Sequence, residues 1–83
     1  MPYFVYIVRC ADDTLYTGIT TDLTRRIDEH NGPDKGAKYT RTRQPVTLVY
    51  HETHPDRSSA SKREYHIKKQ MSRVEKLRLI NIS

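Results

Sequence analysis

Two short stretches at the start of the chain are rich in hydrophobic residues, and this pattern predicts two β-strands. The stretch from Tyr3 to Arg9 is rich in Val, Ile and aromatic residues, and the stretch from Leu15 to Thr20 has a similar character. Between them, the polar segment Ala11-Asp12-Asp13 is typical of a turn. The start of the chain therefore predicts a pair of strands joined by a short loop.

The length of this loop decides which side chains share a face of the sheet. If Cys10 pairs with Thr14 across a three-residue loop, Tyr6 and Tyr16 lie on one face together with Gly18, because side chains alternate with a period of two. A two-residue loop would place the two tyrosines on opposite faces. A glycine inside a strand weakens it and commonly marks a close approach by backbone or ligand.

Capping and termination signals predict the remaining elements. They are a helix from Thr21 or Asp22 to Asn31-Gly32-Pro33, a basic loop over 33–45 with one turn near Ala37 to Arg41, a strand over Val46 to Glu52, a helix from Pro55-Asp56 to about Met71, and a last helix after the capping box Ser72-Arg73-Val74-Glu75. The order β-β-α-β-α-α predicts one α/β domain over residues 1–83. Its sheet is small, three-stranded and mainly antiparallel, with helices at its flanks.

The first helix carries charged residues where its apolar residues point. Arg26 and His30 continue the stripe that the leucine and isoleucine of this helix define, whereas Arg25 and Glu29 are four residues apart on another face and can pair there. A half-buried arginine needs an anion, which either a protein carboxylate or a ligand can supply. Periodicity alone leaves both interpretations open.

The long helix has a similar anomaly at Glu64. Ala60, Ile67 and Met71 form its apolar stripe, and Glu64 lies among them. A carboxylate on an apolar face is costly unless it is paired or binds a metal. Two interpretations follow, a structural salt bridge with Arg26 or a ligand for Mg²⁺, which takes oxygen ligands and keeps most of its waters.

Composition limits the class of protein. The chain has 83 residues, 35% of them hydrophobic, so we expect one domain with a small core. It has no apolar run long enough to span a bilayer, and the start of the chain lacks the pattern of a signal peptide. The lone Cys10 excludes an internal disulfide and a Cys-rich zinc site. These features predict a cytoplasmic protein with no membrane partner.

Positive charge is concentrated at the C-terminal end of the chain. Residues 1–56 contain seven Lys and Arg against eight Asp and Glu, whereas residues 57–83 contain eight against two. Such a basic region attracts phosphate backbones without reading their sequence. A solvated helical face has the same composition, and charge alone leaves the two interpretations about even.

The motif of Tyr6 with Tyr16-Thr17-Gly18 resembles the signature of the GIY-YIG nuclease superfamily, although Phe4 stands at the motif's first glycine. Family members carry an arginine, a histidine or tyrosine four residues later, and a metal-binding glutamate in a later helix. Arg26, His30 and Glu64 match these positions. The segments 36–40 and 62–69 are similar to those of small single-domain bacterial members, the UPF0213-like proteins.

This resemblance implies a phosphodiesterase that uses one metal ion, Mg²⁺ with Mn²⁺ as a substitute, and acts on nucleic acid, with DNA favoured over RNA as the substrate, in repair or processing. The catalytic residues that it implies are Tyr6, Tyr16, Arg26, His30 and Glu64, with Glu64 as the metal ligand. Gly18 and Asn81 are supporting residues. Predicted contacts to nucleic acid are made by Lys38, Arg41, Lys62, Arg63, Lys68, Lys69 and Arg73. Any of Tyr6, Tyr16 and His30 could remove the proton from the attacking water.

Two other functions fit the same residues. The domain could bind nucleic acid without cutting it, or it could be a nuclease subunit that needs a protein partner for substrate affinity. The sequence does not distinguish endonuclease from exonuclease action. The oligomeric state is equally open.

Overall fold

The computed structural model describes residues 2–33 and 35–81. Its elements are β1 (Tyr3–Arg9), β2 (Leu15–Thr20), α1 (Leu23–His30), α2 (Lys38–Arg41), β3 (Thr47–His54), α3 (Arg57–Tyr65), a π-helical segment (His66–Gln70) and α4 (Arg73–Asn81). The predicted order of strands and long helices is confirmed. The short helix α2 occupies the predicted turn in the basic loop.

The β1–β2 hairpin has the predicted three-residue loop. The Cys10 amide donates to the Thr14 carbonyl at 2.8 Å, and Asp13 closes the loop with a φ of 70°. A three-residue hairpin needs a residue in this left-handed region, which aspartate tolerates better than most residues. The register places Tyr6 opposite Gly18, as predicted.

The sheet is wholly antiparallel among the described residues, with the strand order β2-β1-β3. The central strand β1 is therefore covered on both edges and on both faces. A bulge between Ile7 and Val8 shifts the register of β1 against β3. Because β1 is central, the side chains that alternate along it define the two halves of the protein interior.

The two faces of β1 pack against different parts of the protein. Val5 and Ile7 form one cluster with Ala60 and Ile67, so the segment from α3 to the π-helical turn covers this face. The other face carries Tyr6 and Val8, and residues of α1 pack against it. The Val5 face therefore contains an apolar core cluster, whereas the other face contains a fully buried tyrosine.

Side chains cap three of the helices at the predicted places. Asp22 accepts the Arg25 amide at 3.1 Å, and Asp56 accepts the Ser59 amide at 2.8 Å. Ser72 and Glu75 form the reciprocal capping box before α4. These caps fix where the helices begin.

The predicted long helix to Met71 is only partly correct. The α-helical hydrogen bonding ends at Tyr65, and the segment from His66 continues as a π-helix that the Met71 amide closes onto the His66 carbonyl at 3.1 Å. Helix periodicity does not separate i→i+4 from i→i+5 bonding over five residues. None of the helices in the described part of the chain has the length and apolar character needed to cross a bilayer.

Candidate active site

Gly18 is a glycine because the ring of Tyr6 occupies the space that a side chain would fill. A Cβ built at Gly18 would overlap the Tyr6 hydroxyl and lie 2.7 Å from its Cζ. The antiparallel register brings the two residues face to face on adjacent strands. The close approach expected at a strand glycine is therefore made by a tyrosine of the same sheet.

Tyr6 belongs to a chain of buried hydrogen bonds that joins the sheet to α1 and α2. Its hydroxyl lies 2.7 Å from Nε2 of His30, and Nδ1 of the same imidazole lies 2.8 Å from Oγ1 of Thr40. All three side chains are almost or completely inaccessible to solvent. Such a satisfied network fixes the ring positions and the directions of the protons.

Burial also sets the protonation states of this pair. It raises the pKa of Tyr6 to about 12, and the nearby Arg26 guanidinium opposes part of that rise. The pKa of His30 falls to about 4, because burial and then the charge of Arg26 disfavour the imidazolium. At neutral pH the site therefore holds a neutral phenol beside a neutral imidazole.

The Arg26 guanidinium lies close to Tyr6. Its carboxylate partner is Glu29, not Glu64. Its Nη1 lies 3.0 Å from Glu29 Oε1 and 2.9 Å from the carbonyl of Lys35. The predicted pairing of Glu29 with Arg25 is wrong, because the i→i+3 geometry brings Glu29 to Arg26 and leaves the Arg25 side chain exposed.

The Glu64 carboxylate lies beside the tyrosines, and among residues 2–33 and 35–81 it has no hydrogen-bond or ion-pair partner. Its charge raises the pKa of both Tyr6 and Tyr16, though less than burial does. The alternative of a salt bridge with Arg26 is wrong, because Glu29 takes that place. The carboxylate remains available to a cation.

Tyr16 lies in a stack of aromatic and cationic side chains. Its ring stacks on Tyr39 with centroids 5.8 Å apart, and it meets His30 edge-on at 5.4 Å. Lys68 Nζ lies 5.2 Å from the Tyr16 centroid, and the Arg43 guanidinium lies 4.0 Å from the Tyr39 centroid. Cations over aromatic faces are attracted by the ring quadrupole. The stack joins β2, the loop of α2 and the π-helical segment.

The structure brings the five predicted catalytic side chains into one region, which we call the Tyr6 cluster: Tyr6, Tyr16, Arg26, His30 and Glu64. Sequence reasoning gave none of three neighbours a catalytic role. Thr40 and Tyr39 lie in a segment that supported the family resemblance, and Arg43 follows it. A buried threonine beside a histidine has no signal in one sequence, because the contact depends on how the loop folds back.

The predicted nucleic-acid contacts differ in exposure and in their protein partners. Those with exposed side chains are Lys38, Arg41, Lys62, Lys68 and Lys69. Arg63 is half-buried and pairs with Glu52 at 3.1 Å, so its charge is largely neutralised. The exposed Arg73 donates to the carbonyl of Asp13 at 2.9 Å. Asn81 lines a cleft of about 240 Å³ with Arg73 and Asp13, away from the tyrosines.

A second group of polar side chains lies on the opposite face of the sheet, and we call it the Glu52 cluster. Tyr50 and His54 each lie 2.5 Å from a Glu52 oxygen, and Arg63 Nε lies 3.1 Å from Glu52 Oε2. The strand period of two predicts that positions 50, 52 and 54 share a face, so the sequence contained a signal for this group.

Comparison with known proteins places this geometry in a family. The model of the GIY-YIG catalytic domain matches residues 2–78. A UPF0213 protein of Desulfotalea psychrophila is 64% identical over 98% of this chain and 73% of its own length. One from Staphylococcus haemolyticus is 54% identical over 94% of this chain and 93% of its own. The solution NMR structure of a UPF0213 protein from Bacillus halodurans has a TM-score of 0.63 and 43% identity, covering 100% of this chain and 86% of that one.

Proposed function

The chain belongs to the GIY-YIG catalytic domain family and to its UPF0213 members, a membership that implies nuclease-type activity, and we propose that it hydrolyses DNA with one Mg²⁺ ion. One observation carries the proposal. The buried hydroxyl of Tyr6 contacts the His30 imidazole and lies close to the Arg26 guanidinium, next to the Glu64 carboxylate, which forms no hydrogen bond or ion pair with any other described residue. A proton acceptor, a cation for phosphate and a metal ligand therefore face one small volume.

The donor set around Glu64 fits a hard cation that keeps most of its waters. GIY-YIG nucleases generally use a divalent metal. Across residues 2–33 and 35–81, no three His, Cys, Asp or Glu side chains form a group that could hold a metal ion. One carboxylate with substrate phosphate and water suits Mg²⁺, with Mn²⁺ as a substitute. When bound, the ion would supply charge neutralisation at the phosphate.

In this proposal, Arg26 holds the scissile phosphate. The contacts with Glu29 and with the carbonyl of Lys35 both use Nη1, which fixes the plane of the guanidinium. A guanidinium has five N–H donors, so others remain for a phosphate oxygen. A donor that is already oriented stabilises the developing charge without reorganising during the reaction.

The proton of the attacking water moves through Tyr6 to His30. A phenol with a pKa of about 12 is neutral, so Tyr6 can accept a proton only as it gives up its own. Its hydroxyl proton passes to Nε2 of His30 while Oη takes the proton of the water. The water oxygen then bonds to phosphorus, the bond to the leaving oxygen breaks, and that oxygen takes a proton from solvent. His30 ends as the imidazolium and returns its proton afterwards.

A cleavage assay with labelled substrates tests this function. We expect Mg²⁺-dependent cutting of at least one of single-stranded, duplex and branched DNA, with activity lost on chelation and restored by Mn²⁺. An RNA of matched structure should be cut more slowly. Binding without cutting favours the silent binding module. If the protein neither binds nor cuts alone but does so with a protein partner, it is a partner-dependent subunit.

A further inference from the structure

Thr40 is a fully buried polar residue in the four-residue helix α2, and it contacts the ring that receives the proton. Its Oγ1 lies 2.8 Å from Nδ1 of His30 and 3.0 Å from the carbonyl oxygen of Ala37. A threonine hydroxyl has one proton to donate. Because a carbonyl only accepts, Thr40 gives its proton to Ala37 and accepts one from the imidazole.

This direction of donation fixes the tautomer of His30. A neutral imidazole carries one N–H group, and Thr40 requires it at Nδ1. The lone pair is then at Nε2 and points to the Tyr6 hydroxyl, which is 2.7 Å away. One contact opposes this assignment, since the amide of Ala37 lies 3.4 Å from Nδ1 and would prefer a lone pair there. At 3.4 Å it is much the weaker of the two.

We propose that Thr40 is a positioning residue that holds neutral His30 as the Nδ1–H tautomer, so that Nε2 can take the proton of Tyr6. The proposal rests on the function given above. In the other tautomer, Nε2–H would donate to Tyr6 and could accept nothing from it. When His30 becomes the imidazolium, Nδ1–H still donates to Thr40, so the contact lasts through the reaction.

Two substitutions at this position separate the hydroxyl from the shape of the side chain. Thr40→Val keeps the shape and removes the hydroxyl. The Ala37 carbonyl keeps its two backbone donors, the amides of Thr40 and Arg41 at 3.1 Å. In this variant Nδ1 faces only the Ala37 amide, so we expect the ring to change to the Nε2–H tautomer. Thr40→Ser restores the hydroxyl and should restore the Nδ1–H form.

The test reads the tautomer by ¹⁵N NMR of the imidazole in the metal-free protein, and kcat and KM in the cleavage assay. We expect Nδ1–H in the natural protein and in Thr40→Ser, and Nε2–H in Thr40→Val. For Thr40→Val, kcat should fall by about 10-fold to 10²-fold at unchanged KM, and Thr40→Ser should recover most of it.

Each outcome decides the proposal. An Nε2–H ring in the natural protein overturns it, and so does a folded Thr40→Val variant with undiminished kcat. If Thr40→Val does not fold, the spectra of the natural protein and of Thr40→Ser still report the tautomer. If the natural protein shows the Nδ1–H ring but cuts no substrate under any condition, the proposed function fails while the role of Thr40 in setting the tautomer stands.

Discussion

The Tyr6 and Glu52 clusters lie on opposite faces of the same sheet, and both contain tyrosine, histidine, arginine and glutamate. In the Glu52 cluster the carboxylate accepts from Tyr50, His54 and Arg63. In the Tyr6 cluster no described residue donates to the carboxylate of Glu64. The two clusters therefore differ in whether other described residues donate hydrogen bonds to the carboxylate.

The electrostatics of Glu52 agree with this difference. Burial raises the pKa of Glu52, but the donors around it outweigh burial and hold the pKa below its ordinary value. A carboxylate with that many protein donors joins β3 to α3 and has little capacity left for a ligand. The two clusters contain the same residue types, so residue type does not identify the candidate site. It is identified by a carboxylate inside the protein that can still accept hydrogen bonds or bind a cation.

The largest effect is expected for Glu64→Gln, which tests the role of the Glu64 carboxylate. The change is nearly isosteric, so the fold should persist, whereas the proposed metal ligand is lost. We expect cleavage to fall on the order of 10³-fold, with thermal melting and DNA affinity nearly unchanged. An active Glu64→Gln variant would contradict the metal role.

Glu52→Gln is the matched control on the other face. Replacing this carboxylate weakens three charge-assisted contacts, so we expect a loss of about 2 kcal/mol in the free energy of unfolding. Melting should move down by roughly 10 °C in a domain of this size. Cleavage measured well below the melting point should stay close to normal. The opposite pattern would reverse the roles of the two clusters.

The next prediction concerns the pH dependence of stability, to which we expect the two clusters to contribute in different pH ranges. The unfolded chain protonates His30 below about pH 6.5, but the folded protein does so only near its pKa of about 4. The free energy of unfolding should therefore be at its full value above pH 6.5 and fall by roughly 3 kcal/mol on acidification to pH 4.

Denaturant titrations from pH 7 to pH 4 measure this loss. His30→Gln should remove the slope in that window, and the exposed His51→Gln should keep it. The depressed pKa of Glu52 contributes stability above its ordinary value of 4.5, which is lost as the pH falls further. A slope that survives in His30→Gln would show that His30 is not the buried neutral group.

Arg26 and Arg25 are adjacent in sequence but differ in exposure, and this difference predicts a clear contrast. Arg26→Ala removes the proposed phosphate donor, so kcat/KM for cleavage should fall on the order of 10²-fold. Arg25→Ala should have almost no effect, because its side chain is exposed and Glu29 pairs with Arg26 instead. Equal losses in the two variants would refute the assignment.

The smallest effect concerns the basic surface near Tyr16. Lys68 and Lys69 are exposed, and replacing both with Ala should flatten the slope of log affinity against log salt by at most roughly two units on duplex DNA. Arg63→Ala is the control, because Glu52 already neutralises that charge, and it should change melting more than the slope. A binding affinity that barely responds to salt would contradict the electrostatic contact.

Much of the fold was predictable because it depends on local signals. The odd length of the hairpin loop determines the face that Tyr6 and Tyr16 share, and the caps at Asp22 and Asp56 mark where helices begin. The spacing of apolar residues in α1 correctly predicted that His30 faces the interior. These features follow from periodicity and capping over a few residues.

The remaining features depend on contacts that periodicity does not encode. Glu29 is within reach of both Arg25 and Arg26, and only the packed helix selects Arg26. The buried bond from Thr40 to His30 needs the loop after α1 to fold back over the ring. Family resemblance supplied the five proposed catalytic positions. Their neighbours became visible only in three dimensions.

The central place of β1 has a consequence for the order in which the protein folds. The β1–β2 hairpin and α1 close through short loops, so the contacts of Tyr6 with Gly18 and His30 have a small entropic cost. Glu64 lies on α3, which follows β3 in the chain, so we expect it to join the site after β3 pairs with β1 and α3 packs. We expect pulsed hydrogen exchange during refolding to protect β1–β2 amides before those of β3. The Tyr6–His30 pair would then form before Glu64 joins the site. A partly folded chain would lack the proposed metal ligand and could not cleave DNA.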